Sequence, residues 1–231
     1  MLGRETALIT LAMIIFLLLL SAPLMNVLSS SPLSLSSGRL LSSPMSLQQF
    51  TLEDHRGNRF DHADLLGRWN ILSYGFIHCP DLCPSSLAVI KSLKQRLVDR
   101  EEYDDVGVLF YSVDPERDSV EKMARFVAHF GADIVGLRAP EGVDSDGSKA
   151  AFERSLAMKV VISNDGPENS YNVSHGMSLY LFNPQAELYA VFWPHVDDAG
   201  RSLFNLENLY EDYLLIRERA DIANKGDLDG L

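Results

Sequence analysis

The sequence predicts an α/β domain, a mixed sheet flanked by helices, preceded by an N-terminal transmembrane helix. Three observations predict it. Short apolar runs of strand length alternate with helix-periodic runs from residue 68 onward. An uncharged apolar stretch, Ala7 to Met25, stands ahead of them. A serine-rich segment separates the two.

Ala7 to Met25 reads ALITLAMIIFLLLLSAPLM, 19 residues. At a rise of ~1.5 Å per residue such a helix spans ~28 Å, close to the ~30 Å of bilayer hydrocarbon. A cleaved signal peptide has a shorter apolar run and a small-residue exit, and here Ser21-Ala22 is followed by Pro23. Residues 1–27 are therefore expected to be a retained signal-anchor. Arg4 is the only basic residue before the span, and the short leader places the N-terminus inside and the body outside. Residues 28–46 hold nine serines, two prolines and a single charge, which reads as a flexible tether. Residues 47–231 are left as the folded domain.

The formal net charge is −12, and residues 1–46 contain two arginines and one glutamate, so the domain alone carries −13. No basic run or patch is present, which excludes nucleic-acid binding as the purpose of the chain. A hydrophobic content of 46% with 23% charged residues supports an ordinary core. Two cysteines allow one internal disulfide at most, so the fold is not built on disulfides.

The domain opens with Phe50 to Phe60, a hairpin turning at Arg56-Gly57-Asn58. Arg68 to Phe76 is the first buried strand. Pro84 suits the first position of a helix running to about Val98, with Leu87, Ile90, Leu93 and Leu97 at 3–4 spacing. Val106 to Val113 is the second strand. Asp118-Ser-Val-Glu121 resembles a capping box and opens a helix through Phe130. Ile134 to Leu137 is a short third strand, Glu141 to Gly147 a loop, and Lys149 to Met158 a helix. Asn164 to Asn172 is polar and reads as a surface excursion. Met177 to Phe182 and Leu188 to Phe192 form a hairpin around Asn183-Pro184. Leu206, Leu209, Tyr210, Tyr213 and Leu214 mark a closing helix, and the last dozen residues read as frayed. This order is that of a thioredoxin-like fold. It puts the loop after the first buried strand at a helix N-terminus, where backbone amides and the helix dipole stabilise a thiolate.

That loop holds both cysteines, Cys79 and Cys83. Three chemistries fit them. A disulfide oxidoreductase of the usual kind has Cys-x-x-Cys, whereas here three residues intervene. A thiol peroxidase needs one activated cysteine with a hydroxyl donor upstream, and Ser73 and Tyr74 are the only hydroxyls there. Two thiolates with one imidazole make a soft, low-coordinate site suited to copper, whereas zinc asks for a fourth ligand. Six histidines are candidates for the third ligand: His55, His62, His78, His129, His175 and His195. His55, His62 and His129 read as surface residues. His78 adjoins Cys79, and neighbours in an extended chain point opposite ways. His175 precedes the Met177–Phe182 strand, whose return beside the cysteine helix is part of the fold's order, and His195 is its rival.

Gly75-Phe76-Ile77-His78-Cys79-Pro80-Asp81-Leu82-Cys83-Pro84 resembles the signature of the Sco (Sco/SenC) family of copper-delivery proteins. Ser112-Val113-Asp114-Pro115-Glu116-Arg117-Asp118, Ser174-His175-Gly176-Met177 and the opening hairpin from Phe50 resemble further segments of that family, in consistent order over roughly residues 48–215. The resemblance implies a membrane-anchored copper metallochaperone that binds Cu(I), and Cu(II) as well, through Cys79, Cys83 and His175. It implies assistance in assembling the dinuclear copper centre of cytochrome c oxidase. The implied partners are the copper-receiving subunit of that oxidase and other copper chaperones or thiol reductants. The implied place is the inner membrane, single-pass, with the domain facing the periplasm or the mitochondrial intermembrane space. Ser174 departs from the family, where an Asp commonly precedes the histidine, and residues 140–148, 163–173 and the tail after Leu215 do not align. Two other roles stay open: a thiol–disulfide reductase in which Cys79 and Cys83 cycle through a disulfide, and a copper or redox sensor. Asp81 is either a solvated loop residue or a partner contact, and Asp114, Glu116, Arg117 and Asp118 are expected to cap the helix that follows them.

Overall fold

Strand β4 (Asn70–Gly75) is buried along its whole length and runs through the middle of an eight-stranded sheet. The computed structural model describes residues 13, 33–77, 82–140, 142, 147–164, 171–197 and 200–228. Among them, Leu35–Leu231 form one compact unit.

The strands are β1 (Gly38–Ser46), β2 (Thr51–Asp54), β3 (Arg59–Asp61), β4, β5 (Gly107–Ser112), β6 (Ile134–Arg138), β7 (Val160–Ser163), β8 (Asn172–His175), β9 (Leu179–Phe182), β10 (Glu187–Phe192), β11 (His195–Val196) and β12 (Ser202–Leu203). The helices are α1 (Leu82–Arg100), α2 (Val120–Phe130), α3 (Ser148–Ser155) and α4 (Leu206–Leu228). The large sheet has the order β1-β10-β9-β4-β5-β6-β2-β3. β4, β5 and β6 are parallel, and β9, β10, β1 and the β2–β3 hairpin are antiparallel to their neighbours. This is the mixed, thioredoxin-like sheet the sequence order predicts.

Alternation along the central strands splits the core into two layers. Leu72 and Tyr74 of β4, with Leu109, Tyr111 and Val113 of the β5 region, pack with Phe50, Leu52 and Phe60 and with Phe152 and Leu156. Phe110 points to the other face and meets Phe126 of α2 at 5.0 Å between ring centroids. Helix α2 lies close on β6 because Gly136 has no side chain: a Cβ there would stand 2.4 Å from Met123 Cγ.

Several boundaries differ from expectation for identifiable reasons. The tether predicted over 28–46 ends early, because Gly38–Ser46 is an edge strand paired with β10. Small serine side chains do not forbid a strand whose backbone has a ladder to join, and Asp212 of α4 fixes its entry. That buried carboxylate accepts from Ser36 N–H, Ser37 N–H and the Ser37 hydroxyl, each at 2.7 Å. Helix α1 begins at Leu82, so Pro84 falls within the first turn rather than at its first position; no intrahelical bond is lost there, because those amides lack helical acceptors. Ser119, not Asp118, caps α2, its side chain accepting from Lys122 N–H. An unexpected antiparallel pair, β7–β8, flanks the polar excursion and overlaps it only at Asn172. Helix α4 continues to Leu228 where fraying was expected. The expected anchor over 1–27 falls outside the described residues apart from Met13, and no helix among the described residues is long and apolar enough to cross a membrane.

Candidate metal centre

Cys79 lies outside the described residues, as do His78, Pro80 and Asp81. Cys83 is the second residue of α1, in the turn where amides have no helical acceptors, and its side chain is likewise outside the description. Among the described residues no group of three or more His, Cys, Asp or Glu side chains is placed to hold a metal ion. What the structure places is the protein around the loop, and the histidine beside it.

His175 ends β8, and β8 pairs with β7 so that His175 stands opposite Val160. Its ring packs 5.6 Å from the Tyr74 ring and, edge to face, 5.7 Å from the Phe76 ring. Tyr74 lies on β4 and Phe76 directly after its end, on the chain that runs into the cysteine loop. Of the other described histidines, His55 is tied to Gly136, donating its backbone N–H to the Gly136 carbonyl at 2.8 Å and accepting from Gly136 N–H through Nδ1 at 3.1 Å. His62 sits in the short turn after β3, His129 edge-on to Phe130 in the last turn of α2, and His195 on β11. Among the described histidines, it is His175 whose ring meets Tyr74 and Phe76.

The His175 ring is oriented by the backbone of the next residue, Gly176. Nδ1 lies 2.7 Å from the Gly176 carbonyl, and a carbonyl only accepts, so Nδ1 carries the proton and Nε2 the lone pair. Burial holds the imidazole below its ordinary titration range, offset in part by that carbonyl. A neutral imidazole presenting Nε2 is the form a metal needs.

Tyr74 ties the two ligand-bearing segments together. The Lys159 backbone and the Ser178 and Tyr180 side chains stand beside its hydroxyl, while burial pushes its pKa up. Gly176 N–H donates to the Lys159 carbonyl at 2.9 Å, so the loop after His175 is fastened to the start of β7. On the other side of Phe76 stands Arg117, its guanidinium 5.6 Å over that ring and 4.3 Å over the Tyr171 ring. Arg117 pairs with the buried Asp114 carboxylate, which also accepts from the Tyr171 hydroxyl at 2.5 Å. Burial and the Asp114 carboxylate push the Tyr171 hydroxyl up to about 12.

Asp118 is 0% exposed and is not a helix cap. Its Oδ2 accepts from Ile77 N–H at 3.0 Å and from the Ser112 hydroxyl at 2.6 Å. The capping-box spacing concealed this, because Asp and Ser are both good N-cap residues and stand side by side. Asp114 and Arg117 likewise pair with each other rather than with helix amides. Tyr74, Phe76 and Gly176 were legible only as parts of motifs, and nothing in their spacing marked their meeting at His175.

A family model described as SCO1/SenC matches residues 41–210. The chain is 36% identical over 138 residues to the mitochondrial SCO2 homolog of Homo sapiens, covering 58% of this chain and 49% of that protein. It is 31% identical over 157 residues to the mitochondrial SCO1 homolog of Homo sapiens, covering 67% and 50% respectively. It thus spans about half the length of the curated relatives it matches. Among solved structures, Arabidopsis thaliana ScoI with copper bound superposes with a TM-score of 0.62 at 25% identity, covering 74% of this chain and 98% of that one.

Proposed function

The chain belongs to the SCO1/SenC family, and from that premise we propose that it is a membrane-anchored copper carrier serving the assembly of cytochrome c oxidase. Copper is held by the thiolates of Cys79 and Cys83 and by Nε2 of His175. The observation that carries this reading is the packing of His175 on Tyr74 and Phe76, which brings a histidine from the far part of the sequence to the strand entering the cysteine loop.

The donor set suits the ion. Cys83 at the start of α1 lies where helix amides and dipole favour a thiolate. Two thiolates and one neutral nitrogen match Cu(I), which accepts low coordination, and the imidazole extends the site to Cu(II). The Arabidopsis thaliana ScoI structure has copper bound, which supports copper as the ion. The apolar run before residue 26 is the anchor, and the domain faces the periplasm or intermembrane space, where the receiving oxidase subunit is reached.

Copper titration of the reduced protein tests this. Cys79→Ala, Cys83→Ala and His175→Ala each lower affinity by at least about 10-fold, the size of effect that even outer-shell changes produce. Wild-type affinity in any of the three overturns the ligand set. A second reading is favoured by the same helix-start position of Cys83: the dithiol gives two electrons and two protons to a disulfide in the recipient and becomes a disulfide itself. That activity needs no imidazole, so His175→Ala spares it while weakening copper binding.

A further inference from the structure

The β4–β5 ladder runs without a break to Gly75 and Ser112 and ends one bond beyond them. Val113 N–H donates to the Gly75 carbonyl at 2.8 Å. In a parallel ladder the same residue then accepts, through its own carbonyl, from the residue two beyond its partner, which is Ile77. Here Ile77 N–H goes instead to the Asp118 carboxylate at 3.0 Å. The chain after Gly75 therefore leaves the sheet with its amide still satisfied, two residues before Cys79.

The residue that receives it is held through both its carboxylate and its backbone. Ser112, the last residue of β5, donates its hydroxyl to the same oxygen at 2.6 Å, and Ser112 Oγ accepts from Asp114 N–H at 3.1 Å. Asp118 N–H donates to the Asp114 carbonyl at 3.1 Å. Asp118 is completely buried, and Ser119 rather than Asp118 supplies the cap of α2, so capping does not explain why a charged residue is kept inside. Burying a carboxylate is costly unless it is bonded, and its bonds run to the end of β5 and to the strand entering the cysteine loop.

Resting on the copper reading above, we infer that Asp118 is a positioning residue for Cys79: by taking the Ile77 amide out of the β4–β5 ladder, it sets where the cysteine loop departs toward α1. Its role is that of a neutral or charged oxygen acceptor in one place. Asparagine retains such an oxygen and alanine does not.

The test uses Asp118→Ala, Asp118→Asn and Ser112→Ala in the full-length protein, with three readouts. These are exchange of the Ile77 amide, the metal-free Cys79–Cys83 disulfide equilibrium with glutathione, and Cu(I) competition against a chromophoric chelator. Asp118→Ala is expected to speed Ile77 exchange relative to the amides of β4 and to shift the glutathione equilibrium by about tenfold. It is expected to weaken Cu(I) binding by about 10–100-fold, the range for residues that hold a ligand in place. Asp118→Asn restores all three to near wild type. Ser112→Ala, which keeps the Ile77 bond and loosens the carboxylate, moves them in the same direction by less, and it decides the matter should the alanine variant not fold. A folded Asp118→Ala protein with wild-type exchange, equilibrium and affinity overturns the inference, as does an Asp118→Asn protein as impaired as the alanine variant. If the wild type itself fails to bind Cu(I) through Cys79, Cys83 and His175, the copper reading falls, and the first two readouts still decide the role of Asp118.

Discussion

Tyr74 Oη stands 2.8 Å from the point where a side chain on Gly176 would begin. The contact joins the strand that enters the cysteine loop to the residue that follows His175. It makes glycine a requirement of close approach at that position, with the buried Tyr74 hydroxyl as the wall.

Gly176→Ala therefore overpacks the hinge beside His175. The expected cost is about 1–3 kcal/mol of stability, with weakened copper binding, because the His175 ring is oriented by the Gly176 carbonyl. Tyr74→Phe removes the atom in the way, so the double variant Gly176→Ala/Tyr74→Phe is less destabilised than the sum of the two singles. Denaturant unfolding of the four proteins measures this coupling, and strict additivity would contradict the contact as its cause.

Burial keeps the His175 imidazole below its ordinary value of 6.5 in the folded protein. Between the folded value and 6.5 the unfolded chain binds a proton that the folded chain does not, so stability rises with pH across that window. The contribution is fully present above 6.5 and is lost as pH falls through the folded value. His55 is shifted the same way, by burial and by Arg56, so the comparison is between wild type and His175→Gln. The metal-free wild type is expected to lose more stability than His175→Gln between about pH 7.5 and about pH 5. Proton NMR of the ring places the His175 midpoint below 6.5, and a midpoint at or above that value contradicts the burial seen here.

Asp212 fastens the beginning of β1 by accepting from two backbone amides and a hydroxyl. Asp212→Ala leaves those donors without an acceptor and is expected to cost about 1–3 kcal/mol. Hydrogen exchange locates the damage. Amides of Ser36 and Ser37 lose protection, while the environment of His175, on the other side of β10 and β9, is unchanged.

Most of the fold was legible because its signals are local. The largely apolar runs at β4, β5 and β9 announce buried strands, and the 3–4 spacing of Leu87, Ile90, Leu93 and Leu97 announces α1, on which all four are buried. What was not legible depends on partners far away in the chain. The serines of β1 look like tether until β10 supplies a ladder and Asp212 a clamp. β7 and β8 are short, partly exposed and flank polar sequence, so their pairing opposite each other had no periodic signature. At the site, the motifs singled out Cys79, Cys83 and His175, and the structure brings His175 to the strand entering the loop. The role of Asp118 was hidden by a neighbouring serine that does what the aspartate was expected to do.

X-ray absorption at the copper edge, on Cu(I)-loaded wild type and His175→Ala, tests the central claim most directly. The account predicts two sulfurs and one nitrogen around copper in the wild type, with the nitrogen lost and the sulfurs retained in the variant. A wild-type ion without sulfur neighbours, or a nitrogen that survives the loss of His175, would contradict it.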